Sequence, residues 1–334
     1  MLARFTCIVA VSLALAPAAV SAGELAYVSN EWSGTISVID TASDRVVATI
    51  ATGGRPRGIR VDPRGHARIY VAVSRPRDAG ADFHEGVAEI DTVQRRMIRR
   101  IPVGSDPEQF ALAAEPPRLF VSNEDVGTAS IVDLIKGELV ATAVVGIEPE
   151  GVTISPDQRW VYVTGETSNT VSVIDTGKFE VVASFLVEAR PRDAAFSADG
   201  KLAFVSAEVG RALSVVDVAQ HHVIGTYRFS QPMQLPVGVA VDLPRVYVAT
   251  GRGNTVAVLD ARDPRHLRLE AEISVGQRPW GIALADGGAK LYTANGLSND
   301  ISVIDTHTLQ VIRTIPAGER PWGIAIGTDP GGPP

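Results

Sequence analysis

The sequence contains almost no cysteine. Cys7 is the only one in 334 residues, and it lies in a short apolar segment near the start, so the chain downstream has no thiol. Disulfide bonds, thiolate catalysis and haem attachment through Cys-x-x-Cys-His are therefore excluded for that downstream chain. Its stability must come from its core and its hydrogen bonds, and a chain of about 310 residues buries enough apolar surface for this.

Motifs of several enzyme classes are also missing. The sequence has no Gly-x-Ser-x-Gly nucleophile elbow and no glycine-rich phosphate loop, which excludes the enzyme classes that depend on them. No apolar run is long enough for a membrane-spanning helix. Acidic residues outnumber basic residues, 38 against 31, and this balance disfavours binding to nucleic acid.

Residues 1–22 are predicted to be a secretory signal. Arg4 gives a positive start, an apolar stretch covers residues 5–15, and a small-residue cleavage site ends at Ala22. The apolar stretch is too short to span a membrane, so we expect cleavage rather than anchoring. Loss of Arg4 leaves 30 basic against 38 acidic side chains, a net charge of −8, and we expect this chain in the periplasm.

The main positive feature of the sequence is a repeat. An apolar run that ends in aspartate occurs seven times, at steps of 42 to 51 residues, with these aspartates at Asp40, Asp91, Asp133, Asp175, Asp217, Asp260 and Asp305. Repeats of about 40 to 45 residues that contain several short strands are typical of β-propellers with one four-stranded blade per repeat. The sequence therefore predicts an all-β, seven-bladed propeller of antiparallel blades over residues 23–327.

The last complete unit shows the four strands of one blade, A to D, at residues 280–284, 290–295, 300–305 and 310–315. After the signal, the chain begins at a strand B, residues 25–30, and it ends with a strand A, residues 322–326. Because an open ring would expose sheet edges, we expect the C-terminal strand to join the N-terminal strands in one blade. Residues 328–334 are predicted to be a loose tail.

The wording of the repeats supports a family resemblance. Three of the strands B read Leu25-Ala26-Tyr27-Val28-Ser29-Asn30, Val161-Tyr162-Val163-Thr164 and Leu291-Tyr292-Thr293-Ala294-Asn295. Each is followed by a Val/Ile-Asp-Thr strand, and this pattern resembles the YVTN family of β-propellers over essentially the whole chain after the signal. More narrowly, the pyrroloquinoline quinone (PQQ)-dependent catabolism-associated propellers are similar in Asp106-Pro107-Glu108-Gln109-Phe110, Glu148-Pro149-Glu150-Gly151, Asn295-Gly296-Leu297-Ser298-Asn299-Asp300 and Arg320-Pro321-Trp322-Gly323.

The narrower resemblance implies an exported, non-catalytic accessory protein linked to quinoprotein alcohol oxidation. Its partner would be a quinoprotein dehydrogenase, the cytochrome partner of that enzyme, or a small ligand. No cofactor motif is visible in the residues themselves, so the cofactor stays unidentified. The second repeat departs from the pattern through an insertion over residues 75–86, and this weakens any transfer of function near that loop.

Residues that recur in every unit are interpreted as scaffold, because one site does not need seven copies. The aspartates are placed to accept backbone N–H groups in the following turn. A proline opens each strand A, and in five units a glycine follows two residues later, where the lack of a Cβ suits a crowded axis. Gln109 and Asp193 stand at the glycine position in the other two units.

Residues that vary at fixed positions are the candidate site. The position after the proline and the position after strand B belong to the same face of the disc, near the axis. We therefore predict a funnel with acidic and aromatic arcs that binds a ligand, formed by Glu31, Arg57, Glu108, Glu124, Glu150, Glu166, Arg192, Glu208, Trp280 and Trp322. The alternative is a solvated mouth with surface ion pairs of little energetic value, and with both tryptophans packed between blades.

Two other functions are compatible with the same residues. A lactonase- or lyase-like enzyme would use the funnel carboxylates with a divalent metal. An envelope scaffold or adhesion protein is a role associated with other YVTN propellers. Only His84, in the insertion, is a histidine on the funnel side, where it could act as a base or a metal ligand.

Overall fold

The computed structural model of the protein describes residues 23–76, 79–80 and 82–328. The predicted signal and residues 329–334 of the predicted tail lie outside the described residues. The described chain forms seven four-stranded antiparallel sheets, which confirms the predicted seven-bladed propeller. The helices of this part of the chain are three short 3₁₀ turns, Glu124–Val126, Gly251–Gly253 and Asp286–Gly288, and none has the length and apolar character that a membrane crossing requires.

Each blade consists of four strands in the order A, B, C and D. Blades 2, 3 and 4 contain β4 (Arg55–Val61), β5 (Arg68–Ser74), β6 (Gly86–Asp91), β7 (Arg96–Ile101), β8 (Pro107–Ala113), β9 (Arg118–Asn123), β10 (Thr128–Asp133), β11 (Glu138–Val144), β12 (Pro149–Ile154), β13 (Trp160–Gly165), β14 (Thr170–Asp175) and β15 (Glu180–Leu186). Blades 5, 6 and 7 contain β16 (Pro191–Phe196), β17 (Leu202–Ala207), β18 (Ala212–Asp217), β19 (His222–Arg228), β20 (Val239–Asp242), β21 (Arg245–Ala249), β22 (Thr255–Asp260), β23 (Arg268–Ser274), β24 (Pro279–Ala285), β25 (Lys290–Asn295), β26 (Asp300–Asp305) and β27 (Gln310–Pro316).

Blade 1 joins the two ends of the described chain. It contains β28 (Pro321–Thr328), β1 (Glu24–Asn30), β2 (Thr35–Asp40) and β3 (Arg45–Ala51), and its strand order is β28, β1, β2, β3. Strand β28 pairs antiparallel with β1, with Tyr27 opposite Ala325. The predicted ring closure is therefore confirmed, although β28 includes Thr328, which the sequence assigned to the tail.

The core lies between neighbouring blades. Every strand B carries one aromatic side chain at an equivalent position, and all seven are at most 2% exposed: Tyr27, Tyr70, Phe120, Tyr162, Phe204, Tyr247 and Tyr292. Burying a side chain of this size stabilises the folded state by about 1.5–3 kcal/mol. The recurring aromatic therefore holds each blade against the next, as a scaffold position should.

The repeated aspartates cap the turns between strands C and D. In each blade, the aspartate at the end of strand C accepts a backbone N–H from a residue two or three positions later. The donors are Ser43, Gln94, Ile135 with Lys136, Gly177 with Lys178, Gln220, Arg262, and His307 with Thr308. The structural role predicted for all seven aspartates is confirmed.

An irregularity between strands A and B directs side chains toward the axis. In every blade except blade 6, the pairing of these strands shifts within the segment that begins at the repeated proline, as between Pro279 and Ile282. Residues inside such a bulge leave the ladder and their side chains are re-aimed. In blade 6, the regular strand A begins at Val239 rather than at Pro236, although the backbone of Val237 and Gly238 still exchanges hydrogen bonds with Ala249 of β21.

The glycine after the bulge lies against the next blade. A Cβ built on Gly281 would overlap the carbonyl oxygen of Trp322 and would meet the Cα of Gly323 at 3.0 Å. Four other glycines face the same carbonyl of the following blade: Gly58, Gly151, Gly238 and Gly323. The crowded axis predicted from the sequence is confirmed at these five positions.

Gly281→Ala is therefore expected to destabilise the protein by about 1–3 kcal/mol, because the added methyl group overpacks two backbones that cannot separate without moving a blade. Urea denaturation gives the change in the free energy of unfolding. Gly80→Ala is the control, since nothing lies within 4 Å of a Cβ at that position. Equal stability of the two variants would show that the blades are not in close contact at the axis.

Candidate functional site: a charged funnel

The re-aimed side chains converge on a funnel at one end of the axis. Its cavity has a volume of about 200 Å³ and is lined by Glu31, Arg57, Glu108, Glu150, Arg192, Arg278, Trp280, Gly296, Arg320, Pro321 and Trp322. Seven of the ten predicted site residues are in this lining. The other three, Glu124, Glu166 and Glu208, form ion pairs with Arg57 or Arg192. The structure thus brings all ten together, and their role in binding a ligand stays a prediction.

Arg57 is the centre of one cluster of carboxylates. Its guanidinium contacts Glu108 directly and lies 3.4 Å from Glu31, 3.5 Å from Asp106 and 3.9 Å from Glu124. Burial and the nearby charge of Asp106 raise the pKa of Glu124 to about 7. One arginine therefore offsets several carboxylates, and Glu124 is divided between its two protonation states near neutral pH.

The Arg57 cluster contains the carboxylates that would be candidates for a metal. Ligand oxygens of Asp106, Glu108 and Glu124 all lie within 4.8 Å of one another, and hard divalent cations prefer such oxygens. However, the guanidinium of Arg57 already contacts all three carboxylates and supplies their positive charge. A metal ion would have to displace this buried cation, so these residues do not fit the divalent metal of the lactonase hypothesis.

Arg192 is the centre of a second cluster. It contacts Glu150 and lies 2.7 Å from an oxygen of Glu166 and 2.7 Å from an oxygen of Glu208. The four side chains are only 4–10% exposed. The alternative of solvated surface pairs therefore does not describe this cluster, because its charges have been taken out of water and depend on one another.

Glu150 holds a proton more tightly than an ordinary glutamate. Burial raises its pKa to about 8, and the hydrogen bond and charge of Glu166 act in the same direction. Arg192 favours the charged form but is shared with Glu166 and Glu208, so it does not compensate fully. The Glu150 carboxyl group is therefore mostly uncharged at neutral pH and can donate a proton inside the funnel.

This raised pKa makes stability depend on pH. Between the unfolded pKa near 4.5 and the folded pKa near 8, the folded state binds more protons at Glu150, so its contribution to stability is full below that window and is lost as pH rises through it. Glu150→Gln mimics the protonated form and removes this contribution to the pH dependence. From about pH 5 to pH 8.5 we expect the melting temperature of the wild type to fall relative to that of the variant. Parallel curves in differential scanning calorimetry would contradict the assignment.

A wall of tryptophan and arginine lies beside the Arg192 cluster, since Arg192 lies over Trp280 at 5.3 Å. The rings of Trp280 and Trp322 have centroids 5.8 Å apart at an interplanar angle of 37°, and both side chains are half-buried. Arg278 lies over Trp280 at 4.9 Å, and Arg320 lies over Trp32 at 4.3 Å. Among the described residues, no carboxylate forms an ion pair with Arg278 or Arg320. The wall therefore offers flat apolar faces beside two available cations.

The position before each repeated proline lies at the rim of the funnel and was not predicted from the sequence. It carries a charge in six of the seven units, with the residues Arg55, Asp106, Glu148, Arg190, Leu235, Arg278 and Arg320. Five of these charged residues have a positive φ, between 42° and 62°, which turns the chain at the rim of the funnel. This position could have been identified from the sequence. The charge there differs between repeats, as it does at the position after the proline, which was used to predict the funnel.

The insertion in blade 2 does not bring its histidine into the funnel. His84 is exposed, its backbone carbonyl accepts a hydrogen bond from Arg100 at 2.7 Å, and it lines a separate groove with Phe83. Glu85 instead connects the insertion to the funnel rim, since its carboxylate accepts the backbone N–H of Asp106 at 3.0 Å. His84 therefore has no place in the chemistry of the funnel.

The fold and the site define a seven-bladed β-propeller with a charged funnel at one end of its axis. Residues 155–240 match the model of the YNCE-like β-propeller family. No curated protein matches the sequence.

Several solved structures have the same fold. The chain is 22% identical to hydrazine synthase of Kuenenia stuttgartiensis, with a TM-score of 0.73 over 84% of this chain and 92% of that one. It is 18% identical to the periplasmic gluconolactonase PpgL of Pseudomonas aeruginosa, with a TM-score of 0.77 over 92% and 100%. A protein from Lactobacillus plantarum is 16% identical, with a TM-score of 0.77 over 92% and 99%. At these identities the likeness shows the fold alone, and the narrower resemblance to PQQ-associated proteins stays a prediction.

Proposed function

We propose that the protein hydrolyses a sugar lactone in the funnel. The observation that carries this proposal is that Trp280 and Glu150 line the same cavity. An indole face binds the apolar face of a sugar ring, and an uncharged carboxyl group beside it can protonate the oxygen that leaves when the ring opens. The lactone alternative is therefore supported better by this site than a purely structural role.

The reaction needs water and no other reactant. Glu124 of the Arg57 cluster, whose pKa is raised to about 7, takes a proton from water as the water oxygen bonds to the lactone carbonyl carbon. The tetrahedral oxyanion is stabilised by Arg278, whose charge has no carboxylate partner among the described residues. The bond from that carbon to the ring oxygen then breaks, Glu150 gives its proton to the ring oxygen, and the product is an open-chain hydroxy acid.

Two further observations support this proposal. PpgL, a solved structure that the chain covers completely, is described as a periplasmic gluconolactonase. The same proposal includes export of this chain through a cleaved signal at residues 1–22, since that segment has the features of a secretory signal. Sugar lactones outside the cytoplasm would then be the accessible substrates.

The test is hydrolysis of D-glucono-δ-lactone above its spontaneous rate, followed by acid release at pH 6.5. Glu150→Gln is expected to lower kcat about 100-fold, because it removes a general acid. Trp280→Ala is expected to raise KM more than it lowers kcat, because it removes binding of the ring. Glu180→Gln, an exposed glutamate on β15, is the matched control. Absence of turnover, or equal rates for Glu150→Gln and the control, would reject the proposal.

The second candidate is the accessory function implied by the sequence resemblance. It is favoured by one observation, since Arg278 and Arg320 are cations beside aromatic faces and would suit a flat, multiply anionic ligand such as PQQ. A ligand that binds only the folded state raises the melting temperature. This candidate would be favoured by two results together. The melting temperature rises with PQQ, with a quinoprotein dehydrogenase or with its cytochrome partner, and this rise is lost in Arg278→Ala. The wild type also shows no lactone turnover.

A further inference from the structure

A second compartment lies beneath the funnel. Its cavity has a volume of about 420 Å³ and shares the walls Glu150, Arg192, Trp280 and Trp322 with the funnel. Most of its other lining residues come from the strands A that surround the axis, and most of them are small or apolar. The two cavities are therefore consecutive parts of one central channel, and a molecule in the inner part meets different side chains from one in the funnel.

The repeat shows which inner residues are unusual. Four positions after the repeated proline, the seven units carry Arg60, Ala111, Thr153, Ala195, Ala240, Ala283 and Ala325. One arginine therefore stands in a ring of small residues. Gln109 and Asp193 are the two side chains at the glycine position, and both line the same cavity as Arg60. A scaffold that works with alanine and glycine in the other blades does not require these three residues.

The three unusual residues form a polar group inside the channel. Arg60 donates to the backbone carbonyl of Ile59 at 2.9 Å and to Oε1 of Gln109 at 3.1 Å. The carboxylate of Asp193 accepts the backbone N–H of Val239 at 3.1 Å and that of the next residue in its own strand at 2.9 Å. Each side chain is thereby fixed in position, which is the preorganisation that a binding site needs.

Arg60 and Asp193 influence each other electrostatically, yet they form no ion pair in the described part of the chain. Since Oε1 of Gln109 accepts from Arg60, its Nε2 points elsewhere, and no described residue accepts from that Nε2 or from Nε of Arg60. Arg60 and Asp193 are partly exposed to the channel, whereas Gln109 is buried with its side chain in the channel wall. The guanidinium of Arg60, the amide of Gln109 and the carboxylate of Asp193 therefore border the same open part of the channel.

We propose that this inner compartment binds a small hydroxy acid. Arg60 and Gln109 donate hydrogen bonds to the carboxylate of the ligand, since a guanidinium and an amide N–H₂ present donors that match its oxygens. Asp193 accepts a hydrogen bond from a hydroxyl group of the same ligand. The ligand class follows from these donors and acceptors and does not rest on lactone hydrolysis, although an open-chain sugar acid, the product of that reaction, belongs to it.

The test is isothermal titration calorimetry with sodium D-gluconate, and with sorbitol as a polyol without a carboxylate. We expect gluconate to bind and sorbitol to bind at least tenfold more weakly, because the charge-assisted hydrogen bonds are missing. The double variant Arg60→Ala/Asp193→Gly restores the residues found in most other repeats and removes both charges from the channel wall. It is expected to weaken gluconate binding at least tenfold, whereas Arg262→Ala, on the exposed turn after β22, is expected to leave binding unchanged.

Circular dichroism of each variant shows whether the propeller is folded. If the double variant is unfolded, Gln109→Gly is used in its place, and it should still weaken gluconate binding relative to Arg262→Ala. Failure of gluconate to bind, equal binding of sorbitol, or equal affinity of the wild type and the folded inner-channel variant would overturn the proposal. Lactone turnover is measured on the same samples, so loss of the proposed catalytic function and loss of the inner site are told apart.

Discussion

A chain that ends at Pro316 is expected not to fold cooperatively. This truncation removes β28, the strand that lies beside β1 and completes blade 1. Ala26, Val28 and Ile324 form one core cluster with blade 7, so the remaining partners become exposed to water. Each large apolar side chain that loses its burial costs about 1.5–3 kcal/mol, and a few such losses match the total stability of about 5–15 kcal/mol of a typical protein.

Thermal unfolding followed by circular dichroism, with size-exclusion chromatography, measures this effect. The control is a chain that ends at Thr328, which retains all the described strands and should melt as the full chain does. The truncated chain should give no cooperative transition and should aggregate, because the edge of β1 is left unpaired. A truncated protein that stays monomeric with an unchanged melting temperature would show that blade 1 does not depend on its shared strand.

The fold was predictable because each repeat is a local unit with its own signals. The aspartate spacing fixed the number of blades, and the alternation of apolar and turn residues fixed the strands of the last unit to within one residue at each end. Ring closure was predictable because the described chain starts with a strand B and ends with a strand A, and these two strands complete one blade. The late start of the regular strand A in blade 6 was not predictable, because no residue between Pro236 and Val239 signals it.

The candidate site was predictable in composition and not in its pairing. Variation at fixed repeat positions identified side chains that meet at the axis, since the propeller places equivalent positions on one circle. The sequence could not show that Arg57 and Arg192 each contact several carboxylates, because most of these contacts cross from one blade to another. The repeat pattern also identified Gln109 and Asp193 as exceptions at the glycine position. It did not identify Arg60, whose role becomes visible only once the inner cavity is known.

Arg192→Met is expected to be the most destabilising single substitution in the funnel. The methionine fills much of the space but removes the cation that Glu150, Glu166 and Glu208 share, and only the more exposed Arg190 remains beside Glu166 and Glu208. Removing one partner of a buried ion pair costs about 3–5 kcal/mol, because the remaining charge is neither solvated nor compensated. Chemical denaturation at pH 7 measures the free energy of unfolding. The loss of stability caused by Arg192→Met should become smaller as pH falls. Without Arg192, burial raises the pKa of the carboxyl groups, so the folded state binds protons more tightly than the unfolded state does.

Arg190→Met is the matched control for this substitution. Arg190 contacts the same Glu166, but its side chain is 44% exposed against 10% for Arg192, so its loss should cost no more than about 1 kcal/mol. Adding Glu166→Gln to Arg192→Met removes one of the uncompensated charges and should recover part of the stability. Equal, small effects of the two arginine substitutions would mean that water reaches the carboxylates and screens them. The raised pKa of Glu150, and with it the proton donor of the proposed reaction, could not then be maintained, because both depend on a funnel that keeps its charges out of water.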